Sequence, residues 1–206
     1  FYLLPVLFFA LAFVACNESE EVGKYENWQA RNEAFSDSLQ QVFDSGTDPD
    51  LKKVIYSRDK KVNIFYKKLQ KSSLSPEPVN TASPYYTSTV KVAYRGMYID
   101  EAVFAKSSSP HHYTTLYKEL SVFDGNMGGD NFDPEFDSPY EPVVSSMIGG
   151  WIELLQIMKP GDRIELYVPY QAGYGAEGGR DSYGNVTILG YSTLLFDVEM
   201  LDVVKY

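Results

Sequence analysis

The sequence predicts an α+β fold, an antiparallel β-sheet wrapped around one short α-helix, with an N-terminal helical extension. Three observations carry this. The segments "TVKVAYRGMYI", "RIELYV" and "TLLFDVEML" alternate apolar and polar residues, the period-two signature of strands that bury one face. A single apolar stripe at helical spacing, Met147, Trp151, Leu154, Leu155 and Met158, lies among them. Strands outnumber helices, with connections of the antiparallel type.

Taken from the start, "FYLLPVLFFALAFVACNESEE" holds an apolar run of about fifteen residues, too short for a bilayer span and ending in small residues before the single cysteine. This is the pattern of an export signal. Neither an initiator Met nor a basic stretch precedes it, as in a chain truncated at its start. Phe13-Val14-Ala15-Cys16 resembles the bacterial lipobox, which would make Cys16 a lipidation site, residues 1–16 a signal segment, and the protein a lipid-anchored resident of the outer membrane, periplasmic or surface-exposed. The acidic residues from Glu18 to Glu21 resemble the surface-export tags of some Bacteroidetes lipoproteins. One cysteine excludes an internal disulfide.

Residues 17–84 read as a helical extension and linker. From Tyr25 to Phe43, Trp28, Ala34 or Phe35, Leu39 and Val42 or Phe43 recur at helical spacing. "SGTDPD" breaks that helix, Leu51 to Tyr56 suits a second short one, and "VNIFYKKLQ" suits a strand. "KSSLSPEPVNTASP" has no periodicity and reads as linker.

Residues 85–206 read as the main domain. Its first strand places Val90, Val92, Tyr94 and Tyr98 on one face and Lys91 and Arg95 on the other. A Ser-, Gly-, Asp- and Pro-rich stretch of some forty-five residues follows, long enough to suggest a functional elaboration. The helix after it is ended by Pro160-Gly161, with Lys159 near its carbonyl end. Ile164, Leu166 and Val168, then Leu194, Phe196, Val198 and Met200, face inward from the last two strands.

Several chemistries are disfavoured. A formal charge of −10, with no basic stripe beyond the segment around Lys67, repels nucleic acid. Gly173-Tyr174-Gly175-Ala176-Glu177-Gly178 matches a dinucleotide fingerprint in letters, but "GRDSYGNV" after it cannot open the helix that must hold a pyrophosphate. His111-His112 has diverging side chains, and "DGNMGGDNFDPEFD" misses the calcium-loop register, so no metal is expected. No Ser/His/Asp or Cys/His set is available for a nucleophile.

What remains is aromatic. Tyr94 in "YRGMY", "VFD" at Phe123-Asp124, "MIGGW", "MKPGD", "VPYQAGYG" and "YSTLLFDVEM" occur in the order of the motifs of FKBP-type peptidyl-prolyl cis-trans isomerases, and from Thr89 to about Val204 the chain resembles that family. Its appended helix and "YQAGYG" wording are similar to exported lipoprotein members from Bacteroidetes. The resemblance implies a pocket for a proline ring with Trp151 as its floor, the two glycines letting the chain turn beneath it. Tyr94, Phe123, Ile148 and Phe196 would be walls, Tyr140 a further wall aromatic, and Ile188 would close one side. Met147 would offer its backbone, Tyr174 would bond a peptide carbonyl, and Asp124 would be the family's acid. A step of about ten residues from Tyr94 lands instead on Phe104-Ala105, without the acid; the Phe123-Asp124 alignment needs an insertion of about nineteen residues and is preferred. The family's activity needs neither cofactor nor metal. Its partners would be proline-containing polypeptides and macrolide ligands. A non-catalytic peptide-binding or chaperone module with the same pocket is the alternative.

Overall fold

The computed structural model describes residues 25–99 and 120–206; Cys16 and the segment around it, His111-His112 and Phe104-Ala105 lie outside them. Helix α1 (Trp28–Ser45) forms where the spacing places it and buries Trp28, Phe35, Leu39 and Val42 along one stripe. Gly46, at φ 65°, ends it by donating its amide to the Phe43 carbonyl at 3.2 Å.

The next segment is not the second helix expected from the sequence. Lys52–Ile55 is strand β1, paired antiparallel with β2 (Asn63–Leu69) from Lys52↔Tyr66 to Ile55↔Asn63. Val54 and Ile55 are β-branched, and a ladder partner nearby outweighs a short helical pattern. Strands β3 (Thr89–Tyr98), β4 (Val122–Gly125), β5 (Arg163–Val168) and β8 (Leu194–Lys205) join them in a six-stranded antiparallel sheet ordered β1-β2-β5-β8-β3-β4. Strands β6 (Gly179–Arg180) and β7 (Val186–Ile188) form a separate two-stranded ribbon. Residues 17–84 therefore supply two strands to the sheet that 85–206 completes.

Helix α2 (Gly149–Leu155) is shorter than the apolar stripe: Met147 precedes it, after a 3₁₀ turn at Val144–Ser146, and Met158 follows it. It packs on one face of the sheet, where Trp151, Leu154, Leu155 and Met158 meet Val92, Ile164, Leu166, Val168, Leu194, Phe196, Val198 and Met200. The register Leu166↔Phe196 and Phe196↔Gly96 aligns this face across β5, β8 and β3.

The opposite face is buried too, which corrects the expectation of half-buried strands. All six residues of β5 are buried, as are the first eight of β8. Helix α1 covers one part, with Phe35, Leu39 and Val42 against Phe65, Met97, Tyr167 and Leu195. Met127 and Phe132, from the loop after β4, cover Ala93 and Leu201. Arg95, expected on a solvated face, has a side chain only 12% exposed and lies 3.3 Å from Asp130 and 3.7 Å from Asp197. Arg163 forks onto Asp197 at 2.8 and 2.6 Å and reaches Ser72 Oγ at 3.2 Å, while the Ser72 amide and hydroxyl both donate to Glu199. The segment read as linker is thus tied to the sheet through Ser72, and through Asn80, whose amides meet Asp202 and the Val203 carbonyl. The charges behind these ties sit in strand positions that pattern alone assigns to solvent.

Candidate active site

A cavity of about 260 Å³ opens between α2, the middle of β3, the start of β8, β4 and the loop before β6. Trp151 is its floor, 1% exposed, and held edge-on by two rings: Tyr94 at 5.2 Å and 90°, Phe196 at 5.4 Å and 89°. Phe123 stands edge-on to Phe196 at 5.9 Å, and Tyr140 leans on Tyr94 at 5.8 Å. Such edge-to-face contacts fix ring orientations as well as burying area. The indole N–H of Trp151 has no hydrogen-bond partner among the described residues.

Glycines make the packing possible. A Cβ on Gly96 would lie 2.7 Å from Phe123 and 2.8 Å from Phe196, so only glycine lets both rings close over β3. The pair before Trp151 does not serve as a turn. Neither Gly149 nor Gly150 has positive φ; a Cβ would strike the Tyr56 hydroxyl at 2.5 Å or the Val168 methyls at 2.7 Å. Bare backbone there lets the start of α2 seat directly on the sheet, and this sets the height of the indole.

The polar groups gather at the rim. Tyr94 donates its phenol hydrogen to Asp124 Oδ2 at 2.8 Å, and Asp124 Oδ1 accepts the Gly125 amide at 2.9 Å. Burial first, and then the bond to Asp124, raise the Tyr94 phenol well above the ordinary tyrosine range. Tyr174 is raised as well, mainly by burial and next by the Asp124 charge. Both phenols therefore remain donors at neutral pH. Asn126 stitches the post-β4 loop to β3: its side chain accepts the Tyr94 amide at 2.7 Å and donates to the carbonyls of Val92 at 3.1 Å and Ser138 at 2.8 Å. Tyr140 is anchored by paired backbone bonds with Val92, both 2.9 Å. The Tyr174 loop is held by the Gly175 amide on the Tyr170 carbonyl at 2.8 Å and the Tyr191 amide on the Gly175 carbonyl at 3.0 Å.

The structure brings together Tyr94, Phe123, Asp124, Tyr140, Met147, Ile148, Trp151, Tyr174 and Phe196 around this cavity, as the sequence expected. Ile188 does not line it. Its position opposite Gly179 in the β6–β7 ribbon turns it into the core cluster, 4% exposed. Met147 donates its amide to the Val144 carbonyl at 3.2 Å, so it can offer a ligand only its carbonyl. Ser146 and Asn126 escaped sequence reasoning because a serine before "MIGGW" and an asparagine in a Gly/Asp-rich loop carry no periodic signal. Gly173 to Gly178 leads into β6 and not into a helix, so it forms no phosphate cradle of the dinucleotide type.

A pocket walled by aromatic rings, with its acid and phenols confined to the rim, suits a ring-shaped apolar ligand whose ends are polar. The comparisons agree. Residues 81–201, more than half of the chain, match the FKBP-type peptidyl-prolyl cis-trans isomerase family model. The chain belongs to the FKBP-type peptidyl-prolyl cis-trans isomerase family. Over 92 residues, 45% of this chain, it is 38% identical to a macrophage infectivity potentiator from Trypanosoma cruzi, covering 41% of that protein. Over stretches of the same length it is 36% identical to a probable FKBP-type isomerase from Haemophilus influenzae, covering 33% of it, and 34% identical to the FKBP-type 22 kDa isomerase of Escherichia coli, covering 39% of it. The chain thus spans less than half the length of these relatives. Among solved structures, a peptidyl-prolyl cis-trans isomerase from Pseudomonas syringae superposes with a TM-score of 0.53 at 20% identity, over 85% of this chain and 94% of that one. FkpA from Escherichia coli gives 0.50 at 21% identity, over 87% of this chain and 62% of that one. These two likenesses concern the fold alone.

Proposed function

We propose that this chain catalyses cis-trans isomerisation of X-Pro bonds in polypeptide clients, with Trp151 as the floor of the prolyl site. The observation that carries this reading is the edge-on clamp of Trp151 between Tyr94 and Phe196, with Asp124 and two phenols at the rim. Rotation about X-Pro has a barrier of about 18–20 kcal/mol because the amide loses resonance on the way over. No bond is made or broken, so catalysis is differential binding of the twisted amide. The apolar cup strips water from the amide and favours the less delocalised state. Tyr174 donates to a peptide carbonyl, Tyr94 and Asp124 form the polar edge, and the Met147 carbonyl and the N-terminus of α2 at Ile148 supply backbone groups. No step calls on a metal or a cofactor.

Macrolides that imitate the twisted prolyl amide fit the same cup. The test is a titration with such a macrolide, reading tryptophan emission and catalysed exchange of an X-Pro peptide together. Quenching and loss of catalysis at one equivalent support the reading; emission and catalysis both unmoved at saturation overturn it. A pocket that binds the macrolide and never accelerates exchange defines the chaperone-type alternative.

The finer setting is also a proposal. The apolar run before Cys16 and the lipobox-like Phe13-Val14-Ala15-Cys16 support export and lipid attachment, and the acidic residues after Cys16 support kinship with exported lipoproteins of Bacteroidetes. No helix among the described residues is long and apolar enough to cross a membrane, so α1 provides no span. An acylated Cys16 would hold the isomerase at the outer membrane, facing the periplasm or the surface, near newly exported chains.

A further inference from the structure

Beside the prolyl cup lies a second groove of about 380 Å³, with Phe123 common to both. One side of its floor is Tyr98, whose ring packs on Phe123 at 4.9 Å and whose hydroxyl donates to the Thr187 carbonyl at 2.8 Å, tying β3 to the β6–β7 ribbon. Its far wall comes from ahead of α1. Trp28 stands edge-on to Tyr98 at 5.9 Å, and Tyr25 stands edge-on to Trp28 at 5.4 Å. Apolar surface faces outward around it: Tyr25 is 49% exposed, Val122 54% and Val186 50%. Ser121, Thr187 and Leu189 complete the lining, which among the described residues carries no charged side chain.

We propose that this groove is a second subsite for the client chain, taking a bulky apolar or aromatic side chain two or three residues from the proline seated on Trp151. The proposal rests on the isomerase reading. Its occupant follows from continuity and length. The Phe123 ring divides the two cavities, so a chain that fills the cup and runs past Phe123 enters the groove next. Ring centres from Phe196 to Phe123 and from Phe123 to Tyr98 are 5.9 and 4.9 Å apart, a reach of two or three extended residues at about 3.3 Å each. Among the described residues lining the groove the polar groups are hydroxyls and backbone, which supply no counter-ion to a charged side chain, whereas an aromatic ring gains edge contacts with Tyr98 and Tyr25. The segment ahead of α1 then selects clients as well as packing on the sheet.

The experiment uses the full chain and a set of alanine-based peptides with one central proline, in which a single Phe is moved from three residues before the proline to three after it. Exchange is followed by NMR, without a coupling protease. The expected result is a several-fold rise in kcat/KM, mainly through KM, when Phe stands two or three residues from the proline on one side. In Val186→Asp and in Tyr25→Ala that rise falls below twofold; Val186 lies on an exposed ribbon, and circular dichroism verifies the fold of each. The subsite is overturned if the wild-type chain catalyses the alanine peptide but shows no preference beyond the residue adjoining proline, or if both variants keep the full rise. If the wild-type chain accelerates no peptide at all, the isomerase reading falls first and the subsite with it.

Discussion

The phenol of Tyr94 donates a 2.8 Å hydrogen bond to Asp124 Oδ2, joining the middle of β3 to β4 at the mouth of the aromatic cup. The bond crosses an interval that sequence spacing leaves ambiguous. It puts Phe123 and Asp124 beside the cup, while the competing Phe104-Ala105 lies outside the described residues. It also aims a carboxylate at the rim of a site whose walls are apolar, where a single polar group has a large effect on a bound amide.

Replacing that carboxylate should cost rate and little stability. Asp124 is exposed, and its loss leaves a partly buried phenol at the cavity mouth that water can satisfy. For Asp124→Ala we expect kcat/KM for an X-Pro peptide to fall about tenfold, roughly 1.4 kcal/mol of transition-state stabilisation, with a melting-point change of only about 2 °C. An unchanged rate would show that catalysis never used the carboxylate.

A pH dependence of stability should arise far from the cup. Glu165, on the α1-covered face, is pushed up to about 8, chiefly by burial, with Lys67 opposing; Tyr167 donates its hydroxyl to it. Because the folded form holds the proton more tightly than the unfolded one, its stabilising contribution is complete below about 4.5 and is lost as pH rises toward about 8. Chemical denaturation should show stability falling across that window with a limiting slope of about 1.4 kcal/mol per pH unit from this one group. Glu165→Gln should flatten it. An identical slope in the variant would assign the effect elsewhere.

Trp28 tests whether the N-terminal stretch belongs to the fold. Its indole N–H donates to Ser192 Oγ at 3.1 Å, the Arg31 guanidinium lies 5.7 Å from its ring, and Asn32 one turn on accepts the Thr193 amide at 2.8 Å. The two hydrogen bonds hold the segment that enters β8 and leads to Phe196. Trp28→Ala should lower stability by about 3–5 kcal/mol, the range for emptying a buried aromatic site. A melting point within about 1 °C of the parent would make α1 an appendage.

How far the sequence reached depended on what each residue's signal was. Strands β3, β5 and β8 and helix α1 were legible because their apolar residues repeat at periods of 2 and 3.6. Trp151, Tyr94, Phe196 and Tyr174 were legible through the order of the family's motifs around them. The β1 strand was not, since four residues carry too little period to outvote a helical pattern. Nor was the burial of Arg95, Arg163, Asp197 and Glu199: charge ordinarily marks a solvated face, whereas here Arg163 pairs with Asp197 across neighbouring strands and Ser72 and Asp130 arrive from distant segments to meet the rest. Ile188 shows the opposite failure: assigned to the pocket from its motif position, it is turned inward by the ribbon pairing.

The proposed membrane attachment turns on one atom, the Cys16 sulfur. Two or three acyl chains on a single cysteine anchor a protein stably, whereas one chain binds reversibly. Cys16→Ser in the full-length protein should move it from the membrane to the soluble fraction with isomerase activity intact. Retention in the membrane fraction would transfer the anchoring to the apolar segment itself.

Whether the aromatic cup accelerates rotation about X-Pro is read from the cis-to-trans exchange rate of a short X-Pro peptide by NMR, with protein at about a hundredth of the peptide concentration. Uncatalysed exchange takes tens to hundreds of seconds. The expected rate rises in proportion to protein concentration and falls by an order of magnitude or more when Phe196→Ala opens the clamp on Trp151. A rate equal to the uncatalysed one at every protein concentration, from a chain that is folded, would contradict it.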